Sequence, residues 1–233
     1  MEDIERYGDY NEIDEAPGGQ KNPVAIILKI VVLSVCVLVV GILAFRVILF
    51  NYYPDFAKDI YFNDELKVHY ELAGDDFSAK TQTLRAPYDD PDFASFFCDN
   101  LIVVEQAGQL QLSLRYNSSV FDTIESKYGV RLDEDVDGLF DFALERVMTD
   151  GTAQPYEIGK LAYESSDSLL MYTYYKLVFD DIDAEHFSDG SWIRLRITLR
   201  DVAKAKPYYV LVYENTDEYN KFQDYTVKGR EIP

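Results

Sequence analysis

The sequence is poor in cysteine, and this shortage excludes two kinds of structural support. Among its 233 residues there are two cysteines. Cys36 lies within a long apolar run, and Cys98 is the single cysteine that follows this run. The chain beyond the run therefore cannot form an internal disulfide or a cysteine-rich zinc site. We interpret Cys98, which follows Phe96 and Phe97, as a small buried apolar side chain rather than a nucleophile.

The sequence also lacks the motifs that usually carry catalysis. Its two histidines, His69 and His186, are far apart and belong to no H-E-x-x-H motif, and there is no G-x-S-x-G elbow or glycine-rich phosphate loop. Acidic residues are so numerous that no pair of carboxylates stands out as a glycosidase pair. We therefore predict that the protein is not an enzyme and needs no cofactor; an enzyme of unrecognised mechanism is the distant alternative.

Positive charge is scarce. Lysine and arginine total 22 against 42 aspartates and glutamates, for a formal charge of −20. Beyond residue 50 there are 35 acids and 18 bases, so this part carries −17. Such a surface repels phosphate backbones, which excludes nucleic acid as an expected partner. It attracts cations or basic partners, although a solvated acidic surface explains the composition equally well.

One long apolar run lies near the N-terminus, from Pro23 to Phe50. Between Lys29 and Arg46 it has 16 residues without charge, and its flanks lengthen it to the ~30 Å of a hydrocarbon layer. Lys29 and Arg46 would extend to opposite interfaces, with Tyr52 and Tyr53 at the headgroups. We predict a transmembrane helix over 23–51 and an integral membrane protein. A signal peptide is disfavoured because an acidic tail, rather than a basic segment, precedes the run.

The helix divides the chain into segments. We predict a disordered acidic cytoplasmic tail over 1–22, a connector over 52–64 and an extracytoplasmic domain over 65–233. The N-terminus is placed inside because a short tail followed by one anchor and a large domain is the common arrangement. An exported domain without disulfides favours a bacterial envelope. The layout resembles that of envelope proteins of Gram-positive bacteria, a resemblance that covers no motif and implies no activity.

Alternation of apolar and polar residues dominates the rest of the chain and predicts strands. Two of these strands flank Gly108 and predict a β-hairpin, with Gln109, Gln111, Ser113 and Arg115 on its polar side. The segments with a strand-like pattern are 66–72, 101–105, 110–114, 140–144, 169–179, 193–199 and 208–213.

One short helix interrupts this pattern at 120–128. Ser119 and Asp122 have the spacing of a capping box, and Gly129 is a typical residue after a helix end. The whole predicts a mainly β fold, an antiparallel β-sandwich of the immunoglobulin-like class with one or two short helices. The Cys…Trp…Cys signature of true immunoglobulin domains is absent.

An acidic loop is the candidate metal site. Asp133, Asp135, Asp137 and Asp141 follow the first nine positions of a calcium-binding loop, with Gly138 at the sixth. The match then fails, because Leu144 stands where the loop needs a bidentate glutamate. We keep calcium as a hypothesis, with a solvated acidic loop as its alternative.

A row of arginines is the candidate binding site. Arg194, Arg196 and Arg200 form one basic stripe in an acidic domain, and the first two point to one face of a strand. They would contact an anionic or protein partner, or else pair across the sheet with acids such as Glu71 or Asp180. The sequence thus predicts a non-enzymatic, membrane-anchored binding or scaffolding domain whose partner is a protein or envelope component. The alternative is an accessory subunit that joins a membrane complex through its transmembrane helix.

Overall fold

A computed structural model describes residues 23–84, 96–132, 138–148, 154–187, 191–200, 202, 204–214, 222–225 and 227. The predicted tail (1–22) and the metal-loop residues Asp133, Asp135 and Asp137 lie outside these residues. The chain divides into two units, Met1–Tyr52 and Tyr53–Pro233. The elements in chain order are α1 (Pro23–Asn51), α2 (Asp55–Lys58), α3 (Asp64–Ala73), β1 (Lys80–Thr83), β2 (Phe96–Val104), β3 (Gln109–Asn117), α4 (Ser119–Tyr128), β4 (Phe140–Met148), β5 (Tyr156–Ile158), β6 (Lys160–Leu169), β7 (Tyr172–Asp180), β8 (Ser191–Leu199), β9 (Tyr208–Glu214) and β10 (Gln223–Asp224).

The described part of the first unit consists mainly of the apolar helix α1. Its segment Ile26–Leu49 is 24 residues long, and an 18-residue window within it has a mean hydropathy of 3.1. At 1.5 Å per residue this segment is about 36 Å long, so the helix is long and apolar enough to cross a membrane. The prediction for the end of the helix is wrong in one detail. Tyr53 is 8% exposed and packs against Tyr174 in the second unit, so Tyr52 and Tyr53 do not form a pair at the headgroups.

The second unit is a sandwich of two antiparallel sheets. One sheet has six strands in the order β10-β1-β2-β3-β7-β6, and the other has four in the order β5-β4-β8-β9. The run β2-β3-β7-β6 opposite β5-β4-β8-β9 reproduces the ABED and C′CFG order of immunoglobulin domains. The predicted fold class, an antiparallel β-sandwich of the immunoglobulin-like class, is confirmed.

The core lies between the two sheets and is built by the predicted alternation. Leu110, Leu112 and Leu114 of β3 face Leu195 and Ile197 of β8 across it, and all five are fully buried. Since alternate residues of a strand point to opposite sides, the polar neighbours of these residues lie on the outer faces of the sheets.

Two local predictions are confirmed. β2 and β3 form the hairpin around Gly108, whose φ is 57° and whose added Cβ would lie 2.7 Å from the Ile182 carbonyl oxygen, so only glycine fits. α4 ends at Gly129, which has a φ of 65°. The predicted capping box is wrong, because Asn117 Oδ1, rather than the Asp122 side chain, accepts the Ser119 N–H at 2.9 Å.

Two strand predictions are wrong. Residues 66–72 lie in the helix α3, because Asn63 caps its N-terminus by accepting the Leu66 N–H at 2.9 Å. Val68 and Leu72, counted as one side of a half-buried strand, are 55% and 82% exposed. The apolar run 169–179 is divided at Leu170, where the chain turns from β6 into β7.

Candidate functional site

The predicted arginines lie on the outer side of the four-stranded sheet. Arg194 and Arg196 alternate along β8 with the buried Ile193, Leu195 and Ile197. Arg200 lies just beyond the end of β8. The structure therefore brings Arg194 and Arg196 together and leaves Arg200 at the end of the strand.

A single buried glutamate joins the two strand arginines. Glu145 of β4 lies opposite Arg194 in the sheet and is 5% exposed. Arg194 donates from Nε and Nη2 to Glu145 Oε2 at 2.9 and 2.7 Å, and Arg196 donates from Nη1 to Glu145 Oε1 at 2.8 Å. Arg196 also reaches Glu157 of β5 at 2.9 Å. Glu145 is thus shared by the two arginines, Arg196 is shared by the two glutamates, and the four charges sum to zero.

The arginines therefore pair with acids across the sheet, as the alternative interpretation of the sequence predicted. Their partners, however, are not the predicted Glu71 and Asp180. Glu71 lies on α3, and Asp180 bonds Gln109 and Asn63 at 2.7 Å each. The sequence did not single out Glu145, because a glutamate that alternates with apolar residues is typical of a solvated strand.

Two aromatic side chains complete this surface. Trp192 precedes the arginines on the same side of β8, and Tyr209 of β9 lies opposite Arg196; each is 39% exposed. The Arg194 guanidinium lies 3.8 Å from the centroid of the Tyr209 ring. We name Trp192, Arg194, Arg196 and Tyr209 the open face. Sequence reasoning missed its aromatic part, although Trp192 stands two residues before Arg194 and so shares its side of the strand.

The one described aspartate of the predicted calcium loop is engaged elsewhere. Asp141 of β4 accepts hydrogen bonds from Arg200 Nε and Nη2 at 3.0 and 2.5 Å. Both side chains are about half exposed. Arg200 is therefore the ion-pair partner of Asp141, which connects the two predicted sites.

The outer side of β3, in the middle of the six-stranded sheet, is covered by the chain itself. Residues 53–63, which we name the strap, run antiparallel to β3 over its polar side chains. Gln109, Gln111, Ser113 and Arg115 alternate outward along β3, yet each is at most 3% exposed. The sequence predicted this side of the hairpin as polar, and the structure buries it.

Side chains of β3 hold the strap mainly through its backbone. The Gln111 amide donates to the Tyr61 carbonyl oxygen and accepts the Tyr61 N–H, both at 2.8 Å. The Ser113 hydroxyl donates to the Ala57 carbonyl oxygen. At the far end, Asn63 donates to Asp180 at 2.7 Å. The predicted connector over 52–64 is thus largely a packed part of the domain.

Arg115 lies at the beginning of the strap. Its side chain is 4% exposed, its Nε lies 3.0 Å from Asp99 Oδ2, and its guanidinium lies over the rings of Tyr53, Phe97 and Tyr172 at 5.2–5.4 Å. Burial raises the pKa of Tyr53 above its usual value, and the nearby Asp99 carboxylate adds to the shift. The paired charges and stacked rings fix Tyr53 to the sheet.

A buried lysine lies beneath the middle of the strap. Lys176 of β7 is 1% exposed and donates from Nζ to the Asp59 carbonyl oxygen at 2.8 Å. Burial lowers its pKa from 10.5 to about 7, and Asp59 opposes the shift. The amine lines a cleft of about 310 Å³, beside which the Tyr61 and Tyr163 rings stack at 3.8 Å.

Another cluster has the residue types that can bind a metal ion. Its ligand atoms lie within 4.8 Å of one another and belong to Asp183, Glu185 and His186. His186 Nδ1 lies 2.9 Å from Nη1 of Arg146, which can only donate, so the ring proton lies on Nε2. That nitrogen then has no lone pair for a metal, and the guanidinium repels a cation. The geometry favours the ion pair of Arg146 with Glu185, whose charged atoms lie 3.8 Å apart, over a metal ion.

Cys98 is buried as interpreted, at 3% exposure. Burial raises the pKa of its thiol above the usual range. A thiol that is neutral and enclosed in the core is a poor nucleophile.

Comparison with known proteins shows no family. No protein-family model and no curated protein matches the sequence. The fourth constant immunoglobulin domain of nurse shark IgNAR is similar in structure, at 7% identity and a TM-score of 0.28 over 57% of this chain and 91% of that domain. The fold class stands on the strand order rather than on this likeness.

Proposed function

We propose that the protein is a single-pass membrane protein whose immunoglobulin-like domain is a non-enzymatic binding or scaffolding module outside the cytoplasm. The observation that carries the proposal is the contrast between the two sheets. The strap covers the outer side of β3 in the six-stranded sheet, whereas Trp192 and Tyr209 on the four-stranded sheet remain 39% exposed. The open face is therefore the surface on which we place the partner.

The composition of the open face suits a protein partner. Tryptophan, tyrosine and arginine are the residue types that most often dominate the binding energy of protein interfaces. The arginines are held in fixed orientations by Glu145, so little side-chain entropy is lost when a partner binds. Because Glu145 and Glu157 neutralise them, the face favours a polar and aromatic protein surface over a polyanion.

The anchor and its orientation belong to the same proposal. The apolar helix α1 supports membrane anchoring, and the large acidic domain that follows it supports a location outside the cytoplasm. We retain the cell membrane, with a bacterial envelope favoured, as the location. Leu72→Cys tests the orientation, since Leu72 is 82% exposed. A membrane-impermeant maleimide should label it in intact cells above the level of the unsubstituted chain, and labelling only after lysis would reverse the orientation.

Crosslinking in the full chain tests the binding surface. A photoreactive amino acid replaces Trp192 or Tyr209, with Val68 and Leu72 of α3 as matched exposed controls. We expect one discrete adduct from the open face and none from α3. The adduct should weaken when Arg196→Gln removes the arginine's bonds to both glutamates, and persist when Lys80→Gln removes the exposed ion pair to Glu105. Equal crosslinking from α3, or an adduct indifferent to Arg196→Gln, would reject the open face.

A further inference from the structure

Two leucines protrude from the hairpin that joins β6 and β7. Leu169 is 39% exposed and Leu170 is 68% exposed. Leu170 also has a φ of 58°, a left-handed conformation that leucine rarely adopts. The Ser118 N–H donates to the Met171 carbonyl oxygen at 2.9 Å, which fixes the turn. A strained backbone that presents apolar side chains to the outside is a feature that commonly accompanies a contact surface.

The position of this hairpin in the domain points to what the leucines contact. Tyr172, the first residue of β7 after the turn, lies with Tyr53 around the Arg115 guanidinium, at 5.4 and 5.3 Å. Tyr53 follows the end of the apolar helix at Asn51 by two residues. Two residues of chain reach at most about 7 Å. In an anchored chain, the end of the domain that carries the hairpin is therefore the end next to the bilayer.

We infer that Leu169 and Leu170 insert into the interface of the bilayer in which the chain is anchored. This inference rests on the proposed membrane anchoring. The contact is apolar rather than electrostatic, because the part of the chain beyond residue 50 carries −17 and Asp167 lies exposed beside the leucines. A neutral lipid surface is thus the fitting partner, and anionic headgroups add nothing to the binding.

Fluorescence at the hairpin in the full chain tests the inference. Leu170→Cys, in a Cys36→Ser background where Cys98 remains buried, carries an environment-sensitive dye in phosphatidylcholine vesicles. Lys160→Cys is the control, since Lys160 is exposed at the opposite end of β6, about 30 Å away. We expect lipids with a quencher just below the headgroup to quench the dye at 170 at least threefold more than the dye at 160. Equal quenching at both positions would overturn the inference.

A second variant separates insertion from a side effect of the dye. The dye is placed at Ser168→Cys, and the leucines are changed to Leu169→Ser and Leu170→Asn, because asparagine tolerates the left-handed conformation. Quenching at 168 should fall to the level of the control, and unchanged quenching would overturn insertion by the leucines. Quenching that requires native membranes and is absent from pure lipid would assign the leucines to a protein and overturn the lipid contact.

Alkaline carbonate extraction of the same vesicles separates the two hypotheses. Release of the full chain would refute the proposed anchoring. Retention of the chain together with an unquenched dye at 170 would refute the insertion of the hairpin alone.

Discussion

The side-chain amide of Gln111 pairs with the backbone of Tyr61 in both directions, each hydrogen bond measuring 2.8 Å. A glutamine of β3 thus takes the place that the backbone of a neighbouring strand would occupy. Gln111 Nε2 also donates to Gln109 Oε1 at 2.6 Å, and this amide in turn bonds Asp180 at 2.7 Å. The strap is held by a connected set of hydrogen bonds rather than by apolar contact alone.

Gln111→Leu should release the strap. The substitution leaves the Tyr61 N–H and carbonyl, as well as Gln109 Oε1, without these partners, and each lost bond at a buried group costs about 1 kcal/mol or more. We expect the free energy of unfolding of the full chain in detergent to fall by about 2–4 kcal/mol. Hydrogen exchange of residues 55–63 should accelerate more than that of β8.

Gln223→Leu is the matched control, since Gln223 is exposed on β10 and should change stability by less than about 0.5 kcal/mol. If exchange in the strap were as slow in Gln111→Leu as in the unsubstituted chain, the amide would not be what holds it.

Lys176 should make stability depend on pH. Its folded pKa of about 7 lies below the value of 10.5 for a free lysine, so between these values the unfolded chain binds one more proton. The free energy of unfolding therefore rises with pH in this window, by up to about 1.4 kcal/mol per pH unit. Below pH 7 the contribution of Lys176 no longer changes with pH. Lys176→Met removes the titrating amine and should remove this slope.

The measurement is chemical denaturation between pH 7 and 9. Over these two units the unsubstituted chain should gain roughly 2–3 kcal/mol relative to Lys176→Met. Lys160→Met, at an exposed position, should keep the slope of the unsubstituted chain. Curves for Lys176→Met and the unsubstituted chain that run parallel would show that the amine stays charged in the folded state.

The sandwich was predictable because its signals are local. In β8, Ile193, Leu195, Ile197 and Leu199 alternate with polar residues and form the buried side of the strand. Gly108 and Gly129 mark the hairpin and the end of α4 by conformations that glycine alone adopts easily. Such patterns depend on residues close in sequence, so they can be recognised without knowledge of the tertiary structure.

The strap was not predictable for the opposite reason. Gln111 alternates with leucines as a solvated residue would, and its burial depends on Tyr61, which lies 50 residues earlier. The turn at Leu170 carries no glycine, proline or asparagine, so its apolar run was predicted as one strand. Of the candidate sites, Arg194 and Arg196 could be placed on one face, but the identity of Glu145 as their partner required the strand register.

Glu145→Gln should destabilise the domain strongly. The change removes the charge that holds both Arg194 and Arg196 while leaving the guanidinium groups 25% and 32% exposed. Loss of a buried ion-pair partner costs about 3–5 kcal/mol, which the partial exposure of the arginines reduces to about 2–4 kcal/mol. For a domain of this size the midpoint of thermal unfolding should fall by roughly 5–15 °C.

Glu157→Gln provides the control on the same arginine. The Glu157 side chain is 60% exposed, and such ion pairs contribute about 0–1 kcal/mol. Thermal unfolding monitored by circular dichroism should therefore separate the two variants clearly. Equal midpoints for Glu145→Gln and Glu157→Gln would mean that Glu145 does not organise the open face.

Calcium should stabilise the protein no more than magnesium does at equal ionic strength. Asp141, at the ninth position of the predicted loop, is held by Arg200, and Leu144 at the twelfth position is fully buried in β4. A site with a dissociation constant of about 10⁻⁴–10⁻³ M would add about 1.4–2.7 kcal/mol at roughly 10 mM calcium. Screening of the acidic surface acts equally for both ions, so thermal unfolding in each should coincide. A calcium-specific rise that disappears in Asp135→Asn and Asp137→Asn would contradict this expectation and establish the loop as a metal site.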